Sequence, residues 1–182
     1  LVSMIANEVL NQVILQRKLK DPAQILLMLN GLMVHTLRQK VHSESIRDGM
    51  DIGLIVIDHG NNTLSYSGAF NTLYVISDGK LTDVSGSRFS IGGHLGNVKK
   101  SFETTVLNLK KGDRIYLSSD GYVDQFGGPD GKKFMKKRFE KLLLESSDSS
   151  MTEQREQLHE SLRNWQGDLP QIDDVLVAGL RY

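Results

Sequence analysis

Residues 114–128 read RIYLSSDGYVDQFGG, and residues 73–84 read LYVISDGKLTDV. Both carry the triplet Ser-Asp-Gly behind a strand-like apolar run, yet the two surroundings differ. Asp78 and Gly79 separate two strand-like runs, LYVIS and KLTDV, by two residues. Asp-Gly suits a type I′ hairpin because both residues tolerate positive φ, so Asp78 is expected to be a turn residue. Asp120 also follows a strand, but YVDQFGGPDGKK does not continue as a partner strand and reads as a Gly-rich loop leading to a helix. An aspartate at a strand end, followed by a glycine that admits close backbone approach, is placed to hold a hard cation. The plainer alternative is that Asp120-Gly121 only turns the chain.

A second acidic pair stands in PQIDDVLVAGL, residues 170–180, where Asp173 and Asp174 sit at the mouth of the most apolar run in the chain. A buried carboxylate without a partner is costly, and an adjacent like charge adds to the cost. A divalent cation relieves both. Strand alternation would turn only one of the two towards a metal. The alternative is a pair of solvated acids that start a strand. The run that follows is apolar at consecutive positions, as expected of a strand buried on both faces.

The chain has 182 residues, 22 basic against 22 acidic side chains and no cysteine. That length suits one domain, 1–182, with room for a core. Balanced charge gives no field to recruit nucleic acid, and the absence of cysteine excludes disulfides and thiolate chemistry. No apolar run approaches the roughly 18 residues of a membrane span, and none at the start reads as a signal peptide. The expected location is the cytoplasm. A membrane attachment through a preceding region of the full-length protein stays open.

Around these motifs the pattern runs from helices to strands to helices. LVSMIANEVLNQVILQRK, residues 1–18, puts Val2, Ile5, Ala6, Val9 and Val13 on one helical stripe, with Leu10 and Ile14 beside it. The stripe is already running at residue 1, so further sequence is expected ahead of Leu1. In DPAQILLMLNGLMVHTLRQK, residues 21–40, Asp21 can cap, Pro22 suits the first helical position and Gln24 completes a capping-box spacing. Ile25, Leu26, Leu29, Leu32, Met33 and Leu37 then form an apolar stripe. After the polar HSESIRDG come MDIGLIVID, TLSYSG, NTLYVIS, KLTDV, FETTVLNL and DRIYLSS, short strands with tight connections that favour antiparallel pairing. Two helices follow, KKFMKKRFEKLLLE with Phe134, Met135, Phe139, Leu142 and Leu143 at core spacing, and MTEQREQLHESLRNWQ. Ser150 and Glu153 stand at capping-box spacing before the second, and Gly167 ends it.

Taken together, GDRIYLSSDGYVDQFGG and DDVLVAGLRY resemble the closing motifs of the PPM family of metal-dependent serine/threonine phosphatases, nearest to its bacterial SpoIIE-type branch. YSGAFNTLYVISDGKL resembles that branch's aGAnnPLYlirdGkL hairpin, and FSIGG its Pro-hydrophobic-Gly turn. DPAQILLMLN and RDGMDIGLIVID fall where the branch has its helical pair and next strand, so the likeness runs along the whole chain in order. It implies an α+β fold, a PPM-type α-β-β-α sandwich of mainly antiparallel sheets flanked by helices. It also implies a two-metal centre of Mn2+ or Mg2+ that activates a water for in-line attack on phosphorus, with no covalent enzyme intermediate. Asp120 matches the ligand aspartate of the family's SDG motif, Gly121 the glycine whose backbone lies near the metals, and Asp173 the first acid of the late acidic pair, with Asp174 its neighbour. The implied substrate is a phosphoserine or phosphothreonine regulatory protein, and an upstream sensor or regulatory domain is the implied partner.

One family motif has no counterpart. The D-x-T-G-H-G stretch that supplies a metal-bridging aspartate before the first helix is absent, and SMIANEVLNQVI resembles the helix just after it. The chain therefore resembles a phosphatase domain lacking its first ligand and first strands, with impaired activity, and an uncovered sheet edge would favour a homodimer. Two other readings stay open: a PPM-fold interaction module without catalysis, and a metal-dependent phosphoesterase for small molecules. Asp124, four residues after Asp120, could support the metal shell through water. Asp48 and Asp51 stand at a strand entry. The five histidines show no pair at ligand spacing.

Overall fold

A computed structural model describes residues 2–13, 19–40, 49–92 and 101–182. The chain divides into two compact units, Leu1–Thr72 with Val84–Asn108, and Leu73–Asp83 with Leu109–Tyr182. Among the described residues no helix is long and apolar enough to cross a membrane.

In the first unit α1 (Val2–Asn11) and α2 (Pro22–Lys40) pack on a sheet of β1 (Ile52–Asp58), β2 (Thr63–Ala69) and β5 (Thr105–Asn108), in the order β1-β2-β5. Both pairings are antiparallel. The apolar stripes do what their spacing predicts: Ala6, Val9, Val13, Ile25, Leu26, Leu29 and Met33 are buried in one cluster with Ala69 and Ile91. Ile52 faces Ala69 in register, and Ile52 and Leu54 pack against the same cluster, so the helices cover this face of the sheet. Ile14 lies outside the described residues, as do the side chains of Val2, Ile5 and Leu37. At the start of α2, Asp21 accepts from the Ala23 amide at 3.2 Å and from the Thr104 hydroxyl.

The second unit holds β3 (Thr72–Ser77), β4 (Lys80–Ser85), β6 (Arg114–Ser118) and β9 (Val177–Arg181) in the sheet order β4-β3-β6-β9. Here too β6 pairs antiparallel with both β3 and β9. α4 (Lys136–Glu145) and α5 (Met151–Gln166) bury Phe139, Leu143 and Leu158 with Tyr74, Ile76 and Tyr116 of the sheet. The Tyr74 and Phe139 rings meet edge to face at 5.5 Å. Ser150 and Glu153 form the reciprocal capping box at the start of α5, and Gly167 closes that helix at φ 56°.

Three expectations need correction. The stretch 122–133 is not a plain loop: α3 (Gly121–Asp124) precedes a small antiparallel hairpin of β7 (Phe126–Gly127) and β8 (Lys132–Lys133). The following helix begins at Lys136 rather than Lys132, because Met135 takes φ 74° and breaks the run, and its side chain is exposed instead of core. β9 is not buried on both faces. It is the edge strand beside β6, and Ala178, Gly179 and Leu180 are exposed.

The turn between β3 and β4 forms as its two residues require, with Asp78 at φ 50° and Gly79 at φ 70°. Asp78 pairs with Lys110, both side chains being about two-thirds exposed, and an ion pair in that setting contributes little. Gly79→Ala is expected to cost about 1–2 kcal/mol, because a Cβ is disfavoured at positive φ. Asp78→Asn should stay within about 0.5 kcal/mol. Urea denaturation checks both, and a Gly79→Ala midpoint equal to wild type would refute the turn geometry.

Tyr122 of α3 is buried among Phe134, Phe139 and Leu158, and its hydroxyl donates to the Leu158 carbonyl at 2.7 Å. Burial pushes its pKa up to about 12, and burial raises Tyr74 and Tyr116 as well. A raised tyrosine pKa means the unfolded chain loses its proton first, so the stabilisation is complete below about pH 10 and falls as pH climbs towards 12. Stability should therefore drop steeply above pH 10, by roughly 3 kcal/mol from Tyr122 alone. Tyr122→Phe should flatten that part of the alkaline limb in denaturation at stepped pH.

Candidate functional site

The end of β6 carries Asp120. Ile115 and Tyr116 are buried in the strand, and the chain emerges at Ser119 and Asp120 to start α3. Asp120 already has helical backbone angles, φ −74° and ψ −19°, and its carboxylate makes no capping bond. The side chain is exposed. A carboxylate that neither caps its helix nor is covered is available to a ligand.

Gly121 beside it is buried, and its need for glycine is steric. A Cβ there would lie 2.4 Å from the Asp174 carbonyl oxygen and 3.3 Å from Val175 Cγ2. The close approach that the sequence suggested is thus to the backbone of the second acidic segment. The two segments are stitched in register. Ser118 of β6 faces Val177 of β9, and beyond it the Ser119 amide donates to the Leu176 carbonyl at 2.9 Å. The Ser119 hydroxyl donates to the Asp174 carbonyl at 2.8 Å and accepts from the Leu176 amide at 2.9 Å. Sequence reasoning did not single out Ser119. Its only signal was the doubled serine of SSDG.

Asp173 and Asp174 precede β9 rather than lying in it, so strand alternation does not decide which of them faces a ligand. Both are exposed. The Asp173 carboxylate accepts from the Asp174 amide at 2.7 Å, and the Gln171 side-chain amide donates to the Asp173 carbonyl at 2.7 Å. This local bonding leaves lone pairs on the Asp173 carboxylate, since a carboxylate accepts about four bonds.

Two other acids that the sequence singled out, Asp124 and Asp51, are engaged elsewhere. Asp124 pairs with Lys133 of β8 at 2.8 Å, both side chains being about 40% exposed. Asp51 accepts from the Ser90 hydroxyl, and Asp48 lies outside the described residues. Among the described residues no group of three His, Cys, Asp or Glu side chains is placed to hold a metal ion. The donors at Asp120 and Asp173 are hard oxygens, and Mg2+-like ions bind through one or two carboxylates with water in the other positions. Their donor chemistry is of the kind that a single hard cation accepts. A bridged pair needs a further carboxylate that the described residues do not bring here.

The family model described as Stage II sporulation protein E (SpoIIE) matches residues 1–182. The SiaA-PP2C domain of Pseudomonas aeruginosa is 30% identical, with a TM-score of 0.88 over 100% of this chain and 69% of that one. The PP2C phosphatase domain of SpoIIE from Bacillus subtilis, solved with a fragment of its regulatory domain, is 16% identical. It superimposes with a TM-score of 0.72 over 100% of this chain and 49% of that one. The catalytic domain of the serine/threonine protein phosphatase PstP, in complex with 2 manganese ions, is 17% identical with a TM-score of 0.64 over 96% of this chain and 79% of that one. The last two likenesses speak for the fold alone. No curated protein matches the chain. Its antiparallel sheets flanked by helices are those of the PP2C, or PPM, phosphatase fold, and with the family model matched from end to end, the chain belongs to the SpoIIE family.

Proposed function

We propose that this chain acts as a metal-dependent protein phosphatase domain that hydrolyses phosphoserine or phosphothreonine on a regulatory protein. The observation that carries the reading is the stitching of the Asp120 segment to the Asp173–Asp174 segment by Ser119 and Gly121. A manganese-loaded structure of the same fold supports the choice of metal. Mn2+ or Mg2+ would be held by the carboxylates of Asp120 and Asp173, with Gly121 backbone and Asp174 beside them. When bound, such an ion supplies an acidified water for in-line attack and positive charge for the phosphate.

The chain's own residues have narrower tasks. Asp120 and Asp173 bring negative charge and hard oxygen donors to the strand ends. Gly121 allows the two backbones to approach within the space a Cβ would fill. Ser119 holds the second segment in register with the first. No side chain here has to act as a nucleophile, which agrees with hydrolysis by water. An upstream sensor or regulatory domain would govern access of the phosphoprotein to this face.

The test is manganese-dependent hydrolysis of phosphoserine peptides by a form carrying the complete N-terminal region that the resemblance implies, since the 182 residues by themselves are expected to turn over little or none. Asp120→Asn and Asp173→Asn should each lower the rate by roughly 100-fold or more, the scale of losing metal-borne charge stabilisation, with the melting temperature little changed. Asp124→Asn should act weakly, and Asp78→Asn should be near wild type, since it alters only a hairpin turn. Equal inactivity of Asp78→Asn and Asp120→Asn would sink the assignment. Stable folding without any Mn2+-dependent turnover would favour the interaction-module reading instead.

Titration calorimetry on the 182 residues by themselves should detect at most one weakly held Mn2+, abolished in Asp120→Asn. Two tight sites with matching turnover would show that another acid completes a bridged pair, with Asp124 or Asp48 the first to substitute.

A further inference from the structure

The segment Gly167–Asp174 is exposed at every position, so burial does little to fix it, and yet it delivers Asp173. Its described bonds upstream of Asp173 are mostly local: the Leu169 amide donates to the Gln166 carbonyl at 3.1 Å, and the Gln166 side chain donates to the Leu169 carbonyl at 2.8 Å. One bond reaches another element. The side-chain amide nitrogen of Gln125, at the end of α3, donates to the Pro170 carbonyl at 3.0 Å.

Gln125 is itself immobilised. It is 0% exposed, and its amide nitrogen donates a second bond to the Phe126 carbonyl at 3.0 Å. Its backbone carbonyl accepts from the Phe134 amide at 2.9 Å and from Trp165 Nε1 at 3.1 Å. The Trp165 ring is in turn packed against Phe134 and Arg138. Two carbonyls facing one end of the side chain define which end is nitrogen, and the other end, Oε1, is buried with no partner among the described residues. Space filling alone does not call for a side chain with an orphaned acceptor, since an apolar residue of the same length would avoid it.

We infer that Gln125 is a positioning residue that, together with Ser119, clamps the Asp173 segment to the Asp120 segment. The two ties enclose the two acids. Asp120 lies between Ser119 and Gln125 on one strand of chain, and Asp173 lies between Pro170 and Asp174, the residues those side chains hold, on the other. With the Ser119 tie alone, an exposed segment would pivot about Asp174, and the carboxylate separation would not be set. Partners that orient ligands in this way typically change metal affinity by about 10–100-fold when removed. The inference rests on the metal-dependent reading above.

The experiment uses the full chain with Gln125→Met, which keeps length and removes the donor, and Gln125→Asn, a smaller change that withdraws the amide by one methylene. Ile76→Val, which trims the β3 side of the second unit's core away from Gln125 and both acidic segments, is the structural control. Hydrogen exchange across 167–174 should quicken at least about tenfold in both Gln125 variants, and the Mn2+ dissociation constant from calorimetry should rise about 10–100-fold. Turnover should fall through kcat at limiting Mn2+, with KM for the phosphopeptide little changed. Ile76→Val should lower the melting temperature while leaving Mn2+ affinity at the wild-type value. Folded Gln125 variants with wild-type exchange and wild-type Mn2+ affinity would overturn the inference, even with a lowered melting temperature. A wild-type protein that binds no Mn2+ overturns the phosphatase reading instead and takes the metal half of this inference with it; the exchange data then judge the clamp by themselves.

Discussion

The pairing of β6 with β9 is the constraint on which the site depends. Five residues of each strand run in antiparallel register, from Arg114 facing Arg181 to Ser118 facing Val177. Past Ser118 the ladder does not simply stop. Ser119 replaces one ladder bond by its hydroxyl, which accepts from the Leu176 amide and donates to the Asp174 carbonyl. A hydroxyl can do both at once, so one side chain extends the pairing into the segment that carries the acids. The far end is tied as well, by Tyr182 bonding across to Gly112 and Asp113.

The core of the second unit serves this pairing. Tyr116 of β6 is buried, and its hydroxyl donates to Gln154 of α5 at 2.5 Å. Tyr122 of α3 reaches the Leu158 carbonyl in the next turn of the same helix. The two tyrosines thus fix the strand before Asp120 and the short helix after it to a single support. A four-residue helix has almost no intrinsic stability, since nucleation outweighs so few bonds. α3 exists because Tyr122 is held, and Asp120 faces outward because α3 exists. The same logic accounts for Gly127, whose Cβ would lie 1.8 Å from the Trp165 carbonyl. The β7–β8 hairpin is pressed against the end of α5 and can be so only without a side chain there.

Electrostatics separates the acids into two kinds. Asp78, Asp124 and Asp83 each have a lysine partner, Lys110, Lys133 and Lys136 respectively. The Asp78 and Asp83 pairs are exposed and contribute little, and the Asp124 pair is part-buried. Asp120 carries no capping bond, and Asp173 accepts one amide from its own neighbour. Acids with spare lone pairs at the end of a rigid strand pair differ chemically from acids already neutralised in the field of a lysine. That difference sets Asp120 and Asp173 apart from the lysine-paired acids.

What the sequence determined by itself is the local geometry and the family. Asp78-Gly79 had to turn because both residues take positive φ, a property of the two residues and not of their surroundings. The apolar stripes of α1 and α2 and the capping box of α5 were legible for the same reason: periodicity and capping act within one or two turns of chain. The motif order along the whole chain named the family. Tertiary structure decided the rest, because it depends on partners far away in the chain. Gly121 is required by Asp174, 53 residues on, and Ser119 and Gln125 matter through carbonyls that no spacing reveals. Asp124 was placed with the metal candidates by its distance from Asp120, but Lys133 engages it once the β7–β8 hairpin folds back. The apolar run of β9 suggested burial on both faces, yet Ala178, Gly179 and Leu180 are exposed, since hydrophobicity records what a strand can bury and packing against its faces decides what it does.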